Sequence, residues 1–158
     1  MPRREIRFRL NGVERHAEIE DQVVLLDLVR ELGLIGAKRS CDMQVCGTCT
    51  LLLDGRPVSA CTTLALEADG HRVDTVEGLS SGTSLHPLQQ AFIENFAFQC
   101  GYCTPGMIVA AKALLDEHPA PSAEEVRHWM EGNICRCTGY QSIVDAILDA
   151  SDRMRVNV

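Results

Sequence analysis

The chain has 158 residues, of which 46% are hydrophobic and 23% charged, with a net charge of −7. That composition is typical of one globular domain or two small ones. The negative charge and the lack of any lysine/arginine run exclude a nucleic-acid-binding surface. No stretch has the roughly 18 apolar residues of a transmembrane helix. No apolar signal core follows Arg3 and Arg4. We therefore expect a cytoplasmic chain, in which the eight cysteines indicate metal ligands rather than disulfides.

The chain opens with the pattern of a β-hairpin. Residues 5–10 alternate apolar and charged side chains, which predicts a half-buried strand. Asn11 and Gly12 follow, the dipeptide preferred in a two-residue type I′ turn. Residues 13–19 are then predicted to be the returning strand.

A helix and further strands are predicted after this hairpin. Residues 21–32 carry valine and leucine at helical spacing, and Gly33 stands at the expected C-terminal cap. We expect a second hairpin over residues 50–58 and a last short strand over residues 72–76. A hairpin followed by a helix is the opening of a β-grasp ferredoxin-like fold.

The first four cysteines lie in or beyond the long loop that follows the predicted helix. Cys41, Cys46, Cys49 and Cys61 have the C-x4-C-x2-C…C spacing of plant-type [2Fe–2S] ferredoxins. Zinc modules usually present two C-x2-C-like pairs, whereas here three cysteines share one loop and the fourth is distant. The spacing favours a [2Fe–2S] cluster over zinc or over buried structural thiols.

The hydrophobic period changes from 2 to 3.6 after a Gly- and Ser-rich segment at residues 77–84, which we interpret as a linker. Four helices are predicted beyond it, at about residues 85–97, 105–117, 123–131 and 140–152. For the second of these, Thr104 is the expected N-cap, with Pro105 at the first helical position. For the third, Ser122 and Glu125 have the spacing of a capping box.

The other four cysteines lie in the loops that connect these helices. Cys100 and Cys103 precede the second predicted helix, and Cys135 and Cys137 precede the fourth. Two loops that each offer two thiolates suit either a [2Fe–2S] cluster or a zinc ion. The single residue between Cys135 and Cys137 is short for a zinc ligand pair, and the spacing alone leaves both alternatives open.

The complete pattern, C-x4-C-x2-C-x11-C followed by C-x2-C-x31-C-x-C, resembles the iron–sulfur subunit of the molybdenum hydroxylases. This family includes xanthine dehydrogenase, aldehyde oxidoreductase and carbon monoxide dehydrogenase, and its two signature loops resemble residues 99–107 and 132–140. The resemblance implies an α+β chain, with a β-grasp plant-type ferredoxin-like domain at residues 1–78 and an all-α four-helix-bundle domain at residues 79–158. It also implies one [2Fe–2S] cluster per domain, the first held by Cys41, Cys46, Cys49 and Cys61, and the second by Cys100, Cys103, Cys135 and Cys137.

The resemblance further implies two partner chains, in a dimer of heterotrimers. A large subunit would hold molybdopterin, as its cytosine dinucleotide, in contact with Gln99 and Cys137. A medium subunit would hold FAD. Electrons would pass from molybdenum through both clusters to FAD, while the large subunit hydroxylates an aldehyde, purine, N-heteroaromatic or CO-type substrate. The chain alone would catalyse no reaction of the substrate.

Two positions depart from the family pattern, since Ser40 and Gln44 stand where glycine is frequent. Side chains there are expected to alter hydrogen bonding or solvent access at the first cluster, and hence its reduction potential. Three other functions remain open on the sequence. They are a stand-alone two-cluster ferredoxin, the small subunit of a reductive relative that acts on an activated aromatic ring, and a zinc-stabilised interaction module.

Overall fold

The first hairpin forms as its alternating pattern predicts. In the computed structural model, which describes residues 3–156, β1 covers Arg3–Leu10 and β2 covers Val13–Glu20. Ile6, Phe8 and Leu10 all point into the core because side chains alternate between the two faces of a strand. Both turn residues have left-handed backbone angles, with φ of 50° at Asn11 and 81° at Gly12, as a type I′ turn requires.

A five-stranded mixed sheet completes the first half. Its further strands are β3 (Thr50–Leu53), β4 (Arg56–Ser59) and β5 (Arg72–Asp74), and their order in the sheet is β2-β1-β5-β3-β4. The β1–β5 pair is parallel and the other pairs are antiparallel. One helix, α1 (Leu25–Glu31), packs its leucines and Val29 into the core that this sheet covers.

Helix α1 begins later than the pattern predicts. The expected start was residue 21, but residues 21–22 form a turn and Val24 has the extended backbone of a strand. Val24 pairs with Leu64 as an isolated antiparallel bridge, and this extended backbone keeps Val24 outside the helix. Its carbonyl oxygen still accepts hydrogen bonds from the N–H groups of Asp27 and Leu28. The last predicted strand is also shorter than expected and ends at Asp74, where a turn of 3₁₀ helix follows at Val76–Gly78.

Four helices make up the second half of the described chain. They are α2 (Pro87–Glu94), α3 (Thr104–Glu117), α4 (Ala123–Trp129) and α5 (Gln141–Val156). The Ser122–Glu125 capping box at α4 is confirmed. The N-cap predicted for α3 is off by one residue, because Thr104 is already helical and Cys103 precedes the helix. The mixed sheet and these helices confirm an α+β chain, and no helix within residues 3–156 is long and apolar enough to span a membrane.

Helix α2 is shorter than the predicted range of residues 85–97. His86 caps its start, where Nδ1 accepts a hydrogen bond from the Leu88 N–H, and burial lowers the pKa of this histidine. Its C-terminal cap is Asn95, and Phe96 then takes a left-handed φ of 52°, which ends the helix. The ends of the two predicted domains, residues 1–2 and 157–158, lie outside the described residues.

The two halves meet where two glycines approach each other. A Cβ atom at Gly106, in the first turn of α3, would lie 2.2 Å from the carbonyl oxygen of Gly47. Leu52 of β3 packs against Val109 and Ala113 of the same helix. The N-terminal turns of α3 thus rest directly on the loop that carries the first cysteines.

We expect Gly106→Ala to lower the free energy of unfolding by about 1–3 kcal/mol, because the added methyl must displace backbone rather than a flexible side chain. Denaturant unfolding of the loaded protein would measure the change. Gly132→Ala is the matched control, since a Cβ there meets nothing within 4 Å. Equal stability of the two variants would contradict the close approach.

Candidate metal centres

The first four cysteines are supplied by one long loop and by the segment after β4. Cys41, Cys46 and Cys49 lie in the loop between α1 and β3, and Cys61 follows β4. The thiols fall into two neighbouring pairs, since the Cys46 side chain lies within hydrogen-bonding reach of Cys41 and the Cys61 side chain within reach of Cys49. Cys46 also acts on Cys49, so the two pairs adjoin. One pair is half-buried and the other is fully buried.

Backbone donors surround the half-buried pair. The N–H groups of Met43, Val45 and Cys46 lower the pKa of the Cys41 thiol to about 6, since each hydrogen bond favours the thiolate. The Cys46 sulfur lies 3.3 Å from the hydroxyl oxygen of Thr48. The loop is therefore shaped to stabilise negative charge on sulfur before any metal is considered.

The second four cysteines form the same arrangement of two pairs. The sulfurs of Cys100 and Cys137, both exposed, lie 3.6 Å apart. Two thiolates at the usual distance from one tetrahedral ion are about 3.8 Å apart. Cys103 and Cys135, both buried, form the other pair.

Donors also converge on Cys135. Its sulfur accepts hydrogen bonds from the hydroxyl of Thr138 at 3.2 Å and from the N–H groups of Thr138 and Cys137, both at 3.4 Å. Burial raises the pKa of Cys135, but these bonds together outweigh it, and the net pKa is lowered.

The pKa is raised, in contrast, at two other buried thiols, one at each centre. Burial is the main cause that raises the pKa of Cys49 to about 12, and the same cause acts at Cys103, where the pKa is also about 12. Such thiols ionise at neutral pH only when a bound cation supplies compensating charge.

The structure brings the predicted pterin contacts together. The side-chain amide of Gln99 donates a hydrogen bond of 3.0 Å to the carbonyl oxygen of Cys137. Both residues are exposed. Tyr140, which closes the second signature loop, accepts a hydrogen bond of 3.1 Å from the Cys135 N–H through its hydroxyl.

The two cysteine loops touch each other through the backbone. The Ile134 N–H donates to the carbonyl oxygen of Cys46 at 2.9 Å. Asn133, which is buried, donates from its side-chain amide to the carbonyl oxygen of Gly47 at 3.1 Å. Sequence reasoning missed Asn133 because an isolated polar residue has no periodic signal. Its place directly before a cysteine loop is the one hint that the sequence offers.

These arrangements match a two-iron centre better than a single ion. Among residues 3–156, no three cysteine, histidine or acidic side chains converge on one point. The thiols lie as pairs instead, and a [2Fe–2S] cluster takes four cysteine ligands, two for each iron. No cysteine within the described chain is in a disulfide, so all eight thiols are available as ligands.

Comparison with known proteins decides the family. A family model described as "2Fe-2S iron-sulfur cluster binding domain" matches residues 8–79, and a second, "[2Fe-2S] binding domain", matches residues 75–148. The nicotine 6-hydroxylase small subunit of Paenarthrobacter nicotinovorans is 47% identical over 147 residues, which are 92% of this chain and 88% of that subunit. The chain belongs to the iron–sulfur subunits of the molybdenum hydroxylases.

Two further relatives show the same relationship. Aldehyde oxidoreductase of Megalodesulfovibrio gigas is 44% identical over 146 residues, which cover 90% of this chain but only 16% of that protein. The crystal structure of quinoline 2-oxidoreductase from Pseudomonas putida 86 contains a chain that superposes with a TM-score of 0.94 at 46% identity. The match covers 98% of this chain and 97% of that one. This iron–sulfur subunit is therefore a part of an oxidoreductase.

The structure explains one of the two departures from the family pattern. Gln44 has a left-handed φ of 61°, a conformation that glycine adopts freely and other residues adopt at a cost of about 1 kcal/mol. Its side chain is exposed beside the first cysteine set, as is that of Ser40.

Assembly of the iron–sulfur groups should strengthen as pH rises. The buried thiols Cys49 and Cys103, with pKa values of about 12, must lose protons to become ligands. Since protons are released on binding, a rising pH favours the loaded state. We expect more iron and acid-labile sulfide to be bound after reconstitution at pH 8.5 than at pH 6.5. Equal loading at both values would show that the thiols bind without releasing protons.

Proposed function

We propose that this chain is the electron-transfer subunit of a heterotrimeric molybdenum hydroxylase. The observation that carries the proposal is the pair of four-thiol sets joined by one backbone hydrogen bond, from Ile134 N–H to Cys46 O. Each [2Fe–2S] cluster, when bound, takes up and releases one electron at a time. The chain supplies the fixed spacing between two such groups and no substrate chemistry of its own.

We assign the first cluster to Cys41, Cys46, Cys49 and Cys61, and the second to Cys100, Cys103, Cys135 and Cys137. The pairing of thiols within each set supports this assignment, and so do the donors that converge on Cys41 and Cys135. The N–H and hydroxyl groups stabilise thiolate charge and tune the potential of a bound cluster.

The proposed organisation has a β-grasp ferredoxin-like domain at residues 1–78 and a four-helix-bundle domain at residues 79–158. Two separate hydrophobic cores support this division. One is enclosed by the sheet and α1, and the other is built from α2, α3, α4 and α5. Each core lies beside one cysteine set, since Cys49 and Cys61 belong to the first core and Cys103 and Cys135 to the second.

The second cysteine set is proposed to face the molybdopterin-binding large subunit. Cys100 and Cys137 are exposed, and so is Gln99, whose side-chain amide donates a hydrogen bond to the Cys137 carbonyl oxygen. Large apolar residues exposed to solvent lie within four positions of one of these two cysteines, namely Phe96, Phe98, Tyr102, Ile134 and Tyr140. An exposed apolar patch around a redox centre is typical of a surface that a partner covers.

The first cysteine set is proposed to face the medium subunit that carries FAD. Met43 and Val45 lie inside its loop with side chains 66% and 52% exposed, and Ile35 nearby is 62% exposed. Electrons would then run from molybdenum through the second and first clusters to FAD. The proposed molybdopterin is the cytosine dinucleotide, in a cytoplasmic dimer of heterotrimers.

The proposed substrate class is an aldehyde, purine, N-heteroaromatic or CO-type compound that the large subunit hydroxylates. The names of the relatives include nicotine 6-hydroxylase, quinoline 2-oxidoreductase and aldehyde oxidoreductase, which support this range. A reductive relative would use the same small subunit, with electrons running the other way. A stand-alone ferredoxin would leave the exposed patch beside Cys100 uncovered.

Purification from the native host tests the proposal. We expect this chain to copurify with two larger chains, one containing molybdenum and one containing flavin. Iron should amount to about four atoms per small subunit, and the reduced complex should give two distinct [2Fe–2S] signals in electron paramagnetic resonance. A lone chain with two signals would indicate a ferredoxin instead. Zinc in place of iron would reject both interpretations.

A substitution at Gln99 tests its contact with the molybdenum cofactor. Gln99→Leu removes the amide, so electron entry into the second cluster after substrate addition should slow by about fivefold, which corresponds to the loss of one hydrogen bond of about 1 kcal/mol. Rapid mixing with spectroscopic detection of cluster reduction would measure this rate. Gln22→Leu, at an exposed position in the first half, is the matched control and should be unchanged. An unaltered rate in Gln99→Leu would remove Gln99 from the cofactor contact.

A further inference from the structure

A buried hydroxyl at the start of α3 has no hydrogen-bonding partner. It is the Oγ1 atom of Thr104, the residue directly after Cys103. Within residues 3–156, no other buried side-chain nitrogen or oxygen atom lacks a partner. The exception therefore lies next to a proposed ligand of the second cluster.

Burying such a hydroxyl is unfavourable unless an acceptor forms a hydrogen bond with it. A buried polar group left unpaired destabilises the folded state, and valine would fill the same volume without this penalty. Two other threonines beside the cysteine sets have partners, since Thr48 lies against the Cys46 sulfur and Thr138 donates to the Cys135 sulfur. Thr104 differs from them because none of the eight cysteine sulfurs is its partner.

The surroundings of Thr104 limit what its acceptor is. Cys103 on its N-terminal side is buried, and Gly106 two residues later lies against the backbone of Gly47, so protein encloses this turn on both sides. A group that lies beside Cys103 and carries acceptor atoms would supply a hydrogen-bond acceptor for the Thr104 hydroxyl. The bridging sulfides of a [2Fe–2S] cluster are such acceptors.

We propose that the Thr104 hydroxyl donates a hydrogen bond to a sulfide of the second cluster and thereby raises its reduction potential. The inference rests on the proposed function, since it requires a cluster held by Cys103. Reduction adds one negative charge to the cluster, and a hydrogen-bond donor stabilises the reduced form more than the oxidised form. Thr104 is thus a residue that tunes the potential and does not bind iron.

The test is a redox titration of the whole complex carrying Thr104→Val, followed by electron paramagnetic resonance at each potential. At a fixed potential, the ratio of reduced to oxidised second cluster should fall about threefold to tenfold. For a one-electron couple this is a shift of about 30–60 mV to lower potential. The first cluster should keep its potential, and Thr104→Ser, which retains a hydroxyl, should restore most of the loss. Thr83→Val, at an exposed position, is the matched control and should shift neither cluster.

The possible results separate this inference from the proposed function. An unmodified complex without a second [2Fe–2S] signal would overturn the proposed function itself. Both signals present, with the second potential equal in Thr104→Val and the unmodified complex, would overturn the role of Thr104 alone. A shift confined to the first cluster would also overturn it. If Thr104→Val did not retain the second cluster, Thr104→Ala would be titrated with the same expectation, because it too lacks the hydroxyl.

Discussion

Main chain packs against main chain where the first turn of α3 meets the loop that carries Cys46 and Cys49. Gly47 and Gly106 come so close that a side chain on the second would collide with the first. The buried side-chain amide of Asn133 donates a hydrogen bond to the same Gly47 carbonyl oxygen. Because the contacts are made by main chain and by one rigid amide, the distance between the two sets of thiols is set by packing and not by a flexible linker.

The same region buries thiols that must become negatively charged to bind a metal. The chain buries two thiols at each centre, although ionised sulfur is costly away from water. Hydrogen-bond donors lower this cost at Cys135, where they come from Thr138 and the Cys137 N–H, and a bound cation is needed to offset it at Cys49 and Cys103. Fold and metal loading are therefore expected to be linked, because a bound cation offsets the charge of the buried thiolates.

Local features of the fold could be predicted from the sequence, but contacts between distant residues could not. The turn at Asn11 and Gly12 and the capping box at Ser122 formed as expected, because each depends on neighbours within three residues. Helix α1 was placed too early because its first turn competes with the bridge between Val24 and Leu64, 40 positions along the chain.

The candidate centres show the same contrast between local and distant signals. The spacing of the cysteines identified which thiols share a loop, and the structure places the sulfurs of Cys100 and Cys137 from two different loops 3.6 Å apart. The hydrogen bond from Asn133 to Gly47 joins residues 86 positions apart, and no periodicity encodes such a contact. Thr104 was predicted only as a helix cap. Its unpaired hydroxyl became visible once the burial of that turn was known.

The uneven exposure of the second cysteine set determines where a bound cluster would be attacked first. Cys100 and Cys137 stand at the surface while Cys103 and Cys135 are covered by protein. Dioxygen and chelators therefore reach one edge of the second centre first, and oxidative damage would begin there. The first centre is less accessible, because Cys41 and Cys46 are only partly exposed.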